Sequence, residues 1–199
     1  MQVLLDTLAQ RLAQANRPFL VALDGRSGTG KSTLAGHLVT TFNAALVPVD
    51  DFFAASIPDS TWDTRTPVQR VADAVDWQRL RSEALEPLRA GREAAWHPFD
   101  FAAGLSPEGT YPFCSQATVA PPRPLVVVEG AYSTRPELRD LLDLTVLVEV
   151  PDGVRRRRLA ARKDQSFQAR WHLRWDPAED YYFGMLRPRE AFDVTLSGE

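Results

Sequence analysis

The sequence predicts a three-layer α/β/α fold, in which helices cover both faces of a mainly parallel β-sheet. Two apolar runs, 125–130 and 144–150, have the continuous hydrophobic character of strands that are buried on both faces. A third run, 19–24, leads into a glycine-rich turn and then into a segment with apolar residues at helical spacing. Strands that alternate with helices are typical of a parallel sheet, whose last strand we expect at 192–196.

Local patterns predict the remaining elements of the first half of the chain. Residues 2–15 form a predicted helix and 44–49 a second strand. Pro48 predicts that this strand is irregular or lies at an edge, because proline lacks the N–H that a central strand donates. Residues 66–69 have the pattern of a helix-capping box, and a helix further along is expected to end at Gly91.

In the second half, 134–137 has the pattern of another capping box, and Asp152 is expected to cap the helix that follows it. Asp176, which precedes a proline, predicts the start of the last helix. Trp171 and Trp175 are four residues apart and are expected to pack together.

Residues 92–123 have no helical period and contain five prolines. A segment of this length without periodicity predicts a hairpin or loop insertion with a functional role. His97 and Asp100 in this segment would form an acid–base pair in one interpretation. We favour the other interpretation, in which both are polar loop residues, and the role of Cys114 is left open.

The glycine-rich turn over 25–32 has the G-x-x-x-x-G-K-S pattern of a phosphate-binding loop. Its glycines allow successive N–H groups to point into one cavity, and the following helix adds the positive end of its dipole. We expect Lys31 to contact the β- and γ-phosphates of ATP and Ser32 to offer its hydroxyl to Mg²⁺. The predicted ATP-binding residues are Gly25, Arg26, Ser27, Gly28, Thr29, Gly30, Lys31, Ser32 and Thr33.

Acidic residues follow two of the predicted strands. Asp50 and Asp51 come after the second strand. Glu129 follows the four apolar residues that open the run 125–130. Ligands of open parallel sheets bind beyond the carboxyl ends of the strands, so these carboxylates should lie near the phosphate loop. We therefore expect Ser32, Glu129 and Asp50 at the Mg²⁺ site. One of the two adjacent aspartates is expected instead to cap the next helix.

Four consecutive arginines begin at Arg155, and Arg155, Arg158 and Arg162 share one face of a predicted helix. One interpretation is a solvated cationic face. The other, which we favour, is a lid over 153–175 whose arginines clamp a phosphate during its transfer.

The composition limits the classes of protein that fit the chain. Its 199 residues suffice for one substantial domain over 1–199, and the hydrophobic fraction of 44% is ordinary for a globular protein. A net charge of −3 gives no sign of a nucleic-acid polymer as partner. One cysteine excludes an internal disulfide and favours a reducing compartment, the cytoplasm. No secretory signal and no membrane span are expected.

These motifs together resemble the uridine kinase-like branch of the phosphate-loop kinases, which also contains ribosylnicotinamide kinases, phosphoribulokinase and bacterial pantothenate kinase. The resemblance depends on 24–35, on the Asp-Asp-Phe-Phe of 50–53 and on 126–130, and 155–162 and 187–193 add to it. It implies transfer of the ATP γ-phosphate to the hydroxyl of a small molecule, for which a nucleoside is the first candidate. The implied catalytic residues are Asp50, Lys31, Glu129, Arg158 and Arg162.

The resemblance assigns roles to two acids. Asp50 would take the proton from the acceptor hydroxyl, and Glu129 would support Mg²⁺. Uridine kinases also carry an aspartate for the ribose hydroxyls, and Asp63, Asp73, Asp76 and Asp100 are all candidates. The insertion at 92–123 would then lie near the acceptor. The histidine that follows the Tyr-Asp-Phe segment of uridine kinases is missing after Phe99-Asp100-Phe101.

Two other functions are weighed against a nucleoside kinase. One is a kinase for another hydroxyl metabolite, such as ribosylnicotinamide or pantothenate. The second is a regulatory ATPase that acts on a protein partner, but the Asn-Lys-x-Asp motif of GTP-type switches is missing. The predicted partners are ATP and a small hydroxyl-bearing acceptor, without nucleic acid or membrane, and a homo-oligomer is left open.

Overall fold

The computed structural model describes the backbone of residues 2–161 and 165–198 and the side chains of 2–161 and 171–198. The central sheet has five strands in the order β2–β5–β1–β6–β7, and every neighbouring pair is parallel. The strands of the described chain are β1 (Phe19–Asp24), β2 (Ala45–Pro48), β3 (Ala94–Trp96), β4 (Thr118–Ala120), β5 (Leu125–Glu129), β6 (Leu144–Glu149) and β7 (Val194–Ser197). The predicted parallel sheet is confirmed.

Helices cover both faces of the sheet. The α-helices are α1 (Gln2–Gln14), α2 (Lys31–Phe42), α3 (Thr61–Thr64), α4 (Pro67–Asp73), α5 (Trp77–Arg79), α6 (Glu86–Arg89), α7 (Asp152–Ala160) and α8 (Gln165–Tyr181). A π-helical segment, Leu80–Leu85, joins α5 to α6, and a short 3₁₀ helix, Val49–Phe52, follows β2 directly.

The core lies in two clusters, one on each face of the sheet. On β1, Leu20 and Ala22 face one cluster while Val21 and Leu23 face the other, because successive side chains of a strand point to opposite faces. The first cluster contains residues of α4, the π-helical segment, α6 and α8, and the second contains residues of α1 and α2. A sheet that is buried on both faces accounts for the apolar runs, and the three-layer fold is confirmed.

Two local patterns act as the sequence predicts. Strand β2, which contains Pro48, is at an edge of the sheet, where the missing N–H of proline is tolerated. Thr66 and Gln69 form the complete capping box at the start of α4.

Three predicted helix starts are wrong. The Thr134 hydroxyl donates to the buried carboxylate of Asp24 at 2.6 Å instead of capping a helix. Asp152 is the first residue of α7 rather than its cap, and it accepts from Arg155 at 3.0 Å. Helix α8 begins before Asp176, whose proline neighbour lies inside the helix. At Thr134 a tertiary contact outweighs the local pattern, and at Asp152 a contact within the helix itself does.

Between α6 and β5, strands β3 and β4 form an antiparallel hairpin. His97 contacts the carbonyl of Cys114 through Nδ1 at 2.9 Å, whereas Asp100 accepts from the backbone N–H groups of Ala102 and Ala103. His97 and Asp100 therefore have separate partners, as expected of polar loop residues. No helix within the described ranges is long and apolar enough to cross a membrane.

Candidate active site

The phosphate-binding loop joins β1 to α2. Its glycines have positive φ angles, 148° at Gly25, 87° at Gly28 and 98° at Gly30, which favour glycine. At Gly25 a Cβ would lie 2.2 Å from the carbonyl oxygen of Val148 on β6, so the loop also needs glycine for close approach. The sequence thus forms the strand, loop and helix that phosphate binding requires.

Lys31 lies at the start of α2 and is 8% exposed. Its ammonium donates to the carbonyls of Gly25 at 2.9 Å and of Arg26 at 3.1 Å. The lysine therefore folds back over the loop, where a nucleotide phosphate would compete for its protons. Backbone N–H groups and a point charge are the chemistry that binds phosphate.

Ser32 and Glu129 meet at the carboxyl edge of the sheet. The Ser32 hydroxyl donates to Oε1 of Glu129 at 3.2 Å. Burial raises the pKa of Glu129, the nearby Lys31 charge lowers it, and Asp50 raises it again. Hydroxyl and carboxylate oxygens are the ligands that Mg²⁺ prefers, and it commonly completes its shell with phosphate oxygens and water. The pair fits that ion, although the described residues contain no cluster of three acidic, His or Cys side chains around one point.

Asp50 and Asp51 lie in the 3₁₀ helix after β2 and turn in different directions. Asp50 lines a cavity beside the phosphate loop. The Asp51 carboxylate accepts from the indole N–H of Trp96 at 2.8 Å, and burial raises its pKa. Asp51 therefore anchors the β3–β4 hairpin. The prediction that one of these aspartates caps the next helix is wrong, because both lie within the 3₁₀ helix and Asp51 contacts Trp96 instead.

Helix α7 packs directly on the phosphate loop. A Cβ on Gly28 would lie 2.9 Å from Leu159, and Arg158 donates to the carbonyl of Thr29 at 3.2 Å. Arg155 is 5% exposed and pairs with Asp152 at 3.0 Å. Arg155 and Arg158 thus share the face of α7 that meets the loop.

The neighbouring arginine of α7 has a different environment. Arg156 is 75% exposed and pairs with Asp152. Arg162, the third member of the predicted face, lies outside the described residues. The structure therefore supports the helical-face prediction for the two arginines that it describes, without testing their role in phosphate transfer.

A buried network under the loop was missed by the sequence analysis. Asp24 is fully buried and accepts from the N–H groups of Gly25, Tyr132 and Thr134 and from the hydroxyls of Thr134 and Tyr182. Burial raises its pKa, and the hydrogen bonds oppose that rise. The only sign of this network in the sequence is an acidic residue, Asp24, directly before the phosphate loop.

The cavity that Asp50 lines has a volume of about 170 Å³. Its walls come from the loop, the 3₁₀ helix, the segment after α4, the hairpin region and α8. Aromatic side chains dominate these walls. The lining residues are Ser27, Asp50, Phe53, Ala74, Val75, Phe101, Ala131, Tyr132, Trp171, His172, Trp175 and Glu179.

Glu179 connects this cavity to the phosphate loop. It is 3% exposed, and one of its oxygens accepts from the N–H of Ser27 at 3.1 Å and from the Ser27 hydroxyl at 2.9 Å. Trp171 and Trp175 pack together as predicted, with ring centroids 5.5 Å apart. The sequence analysis missed that these residues and Glu179, spaced four apart on α8, together line a cavity.

The four aspartates considered for the acceptor do not line this cavity. Asp63 pairs with Arg174 and Asp73 with Arg65. Asp100 accepts from its own loop, and the Asp76 carboxylate accepts from the N–H of Arg79 at the start of α5.

A second, larger cavity of about 780 Å³ is also lined by residues of the phosphate loop. Thr29, Gly30 and Thr33 contribute to its wall, together with Arg158 of α7 and the exposed His37 of α2. The two cavities share no lining residue among those described: Ser27 of the loop lines the first, and Thr29 and Gly30 line the second.

Fold and loop together define a phosphate-loop protein, and comparisons with known proteins agree. The structure of a possible uridine kinase from Bacillus stearothermophilus superimposes with a TM-score of 0.70 at 18% identity, over 98% of this chain and all of that one. D-glycerate 3-kinase from Cryptococcus neoformans superimposes with a TM-score of 0.62 at 13% identity, over 97% of this chain and 92% of that one. At these identities the likeness shows the fold. No protein-family model matches the chain.

Two uridine kinases are similar in sequence. That of Deinococcus deserti is 30% identical over 144 residues, 70% of this chain, and the chain spans 65% of that relative's length. That of Streptococcus gordonii is 24% identical over 177 residues, 87% of this chain and 79% of its own length. The chain is thus similar to the uridine kinase-like branch of the phosphate-loop kinases, and the resemblance that its motifs indicate is confirmed.

Proposed function

We propose that this protein is an ATP-dependent kinase that transfers the γ-phosphate to a hydroxyl of a small molecule. One observation carries the proposal: Asp50 lines a cavity whose wall includes Ser27 of the phosphate loop. A carboxylate, a substrate-sized cavity and a phosphate-binding loop are thereby adjacent, which is the arrangement that phosphoryl transfer between two bound molecules needs.

Each residue near the loop has a role in this proposal. The loop N–H groups and Lys31 hold the ATP phosphates, and Lys31 neutralises charge on the transferring group. Ser32 and Glu129 would hold Mg²⁺, which would offset negative charge on the phosphates. Asp50 orients the acceptor hydroxyl and accepts its proton, an effect worth about 10²–10⁴ in rate. Asp50 also stays a predicted member of the Mg²⁺ site.

The larger cavity serves the base and ribose of ATP in this proposal. It adjoins Thr33, which lies one residue after the metal-binding Ser32, and Arg158, which donates to the loop. Helix α7 forms the lid. Its contact with the loop excludes water, which would otherwise hydrolyse ATP without transfer.

A nucleoside is the first candidate acceptor. The relatives that carry the name uridine kinase support it, and the flat aromatic walls of the small cavity suit a base. The absence of the uridine kinase histidine argues against uridine itself. A kinase for a ribosylnicotinamide-like or pantothenate-like acceptor is the alternative within the same chemistry, and a cytoplasmic location stays a prediction.

An acceptor panel tests the proposal. ADP formation is measured with Mg·ATP and, one at a time, nucleosides, nucleotides, sugars and hydroxyl-bearing vitamins. We expect ADP to form only with a hydroxyl acceptor, and the phosphorylated product to appear in equal amount. ADP that forms without any acceptor and increases with a protein partner would instead identify a regulatory ATPase.

A further inference from the structure

We propose that the acceptor carries a positive charge, which lies against the aromatic rings of the small cavity and beside the unpartnered oxygen of Glu179. The proposal rests on the proposed kinase function and names the substrate class of the same site. Two independent features of the cavity support the proposal. The first is its aromatic lining, and the second is the charge of its walls.

The first feature is a ring cluster around Phe53. Its ring centroid lies 5.9 Å from that of Phe101, 6.0 Å from that of Trp171 and 5.4 Å from that of Trp175. Tyr132 adds a fifth aromatic side chain to the lining. These rings pack against one another and also line the cavity. The faces of aromatic rings carry negative charge density, which attracts a quaternary or delocalised cation.

The second feature is a buried carboxylate that lacks a cation. Glu179 is 3% exposed, and its Oε1 accepts from Ser27. Its Oε2 has no hydrogen-bond partner among the described residues, and no ion pair found in them includes Glu179. A buried carboxylate is costly unless a charge or donor pairs with it, so a cationic ligand would supply the missing partner.

The other ionisable residues of the walls agree with this charge. Asp50 adds a second carboxylate, and no arginine or lysine of the described residues lines the cavity. His172 is the one imidazole in the described lining, and its Nδ1 lies 3.1 Å from the carboxylate of Asp176. Its Nε2 and the indole nitrogen of Trp175 have no hydrogen-bond partner among the described residues. An anionic acceptor such as a pantothenate-like acid would meet two carboxylates and no arginine or lysine in the described lining.

A matched pair of ligands tests the inference directly. N-(2-hydroxyethyl)pyridinium and 2-phenylethanol have nearly the same shape and the same hydroxyl, but only the first is charged. We measure the binding of both to the full chain by calorimetry without ATP, so that the result does not depend on catalysis. The cation is expected to bind at least about tenfold more tightly. Equal affinities, tighter binding of the neutral alcohol, or no binding of either compound would overturn the inference.

Two variants identify the charge responsible. Glu179→Gln keeps a carbonyl oxygen for Ser27 and removes the negative charge, so most of the preference for the cation should be lost while the melting temperature changes little. Asp180→Asn removes the adjacent carboxylate, which is 69% exposed and pairs with Arg26 outside the cavity, and should keep the preference. A preference that survives in Glu179→Gln would contradict the assignment to Glu179.

Kinase assays with the same ligands separate this inference from the proposed function. Faster ADP formation with cationic hydroxyl compounds, a pyridinium riboside among them, than with neutral nucleosides supports both. Efficient transfer to neutral nucleosides, together with equal binding of the matched pair, overturns the inference and leaves the kinase in place. Preferential binding of the cation without ADP formation from any acceptor would count against the kinase function.

Discussion

The indole N–H of Trp96 donates to the carboxylate of Asp51 at 2.8 Å, and this contact turns Asp51 toward the hairpin while Asp50 lines the cavity. Successive residues of a 3₁₀ helix point about 120° apart, so the two carboxylates face different directions. The hydrogen bond thus gives a structural reason why only one of two chemically identical side chains is available to an acceptor.

We therefore predict unequal effects of the two Asp→Asn changes. Asp50→Asn should lower the single-turnover rate of transfer at least about 10²-fold with near-normal ATP affinity, because the acceptor hydroxyl loses its base. Asp51→Asn should change the rate much less, since an amide oxygen still accepts from Trp96. Loss of transfer in Asp51→Asn alone would move the catalytic role to Asp51.

Lys31→Ala tests the phosphate loop. The ammonium is preorganised over the loop by two carbonyls, and its removal should lower turnover by about 10²–10³. Circular dichroism should still show a folded protein, because the side chain serves the loop rather than the core. Full activity in a folded variant would refute nucleotide binding at this loop.

Glu129→Gln tests the metal site in two ways. The variant should need more Mg²⁺ for half-maximal rate and should have a lower rate at saturating Mg²⁺. A normal Mg²⁺ dependence would make Glu129 a structural residue.

The same residue predicts the acid limb of the pH profile. Burial raises the pKa of Glu129, so this carboxylate takes up a proton at a higher pH than an exposed glutamate does. Activity that needs the carboxylate should fall as the pH drops through that raised pKa. In Glu129→Gln this limb should be absent from the plot of rate against pH.

The raised pKa of Glu129 also predicts an effect on stability. Folding disfavours the ionised carboxylate, so the stability that this group contributes is lost as the pH rises. Glu129→Gln should therefore be at least as stable as the parent at neutral pH.

The arginines of α7 should differ in their effect on transfer. Arg158→Ala should lower the transfer rate by about 10² and weaken ATP binding less, because Arg158 lies against the loop. Arg156→Ala is the matched control on the same helix, exposed to solvent, and should leave the rate within a factor of a few. Larger damage from Arg156→Ala would show that the opposite face of α7 acts on the phosphates.

Asp24→Asn should destabilise the protein by at least about 2 kcal/mol, because the amide NH₂ would face donors instead of accepting from them. The matched control is Asp140→Asn, which removes a surface ion pair with Arg81 and should cost less than about 1 kcal/mol. Urea unfolding of both variants measures the difference. Equal stability would mean that the Asp24 network rearranges around the amide.

The sequence by itself determined the fold and the phosphate loop of this protein. Strands buried on both faces must be apolar throughout, and the loop needs glycines followed by Lys31, so both features are written in consecutive residues. Glu129 could be located for the same reason, since it ends a strand beside the loop. These signals depend only on local order along the chain.

Only the tertiary structure decided which polar groups meet. Asp24 and Thr134, Ser27 and Glu179, and Asp51 and Trp96 are separated by 45 to 152 residues, and no local pattern relates their positions. Thr134 donates to the buried carboxylate of Asp24 rather than capping a helix, because a buried carboxylate left without donors costs more than a cap contributes. The small cavity arises in the same way, from side chains that the packing of α8 on the sheet brings together.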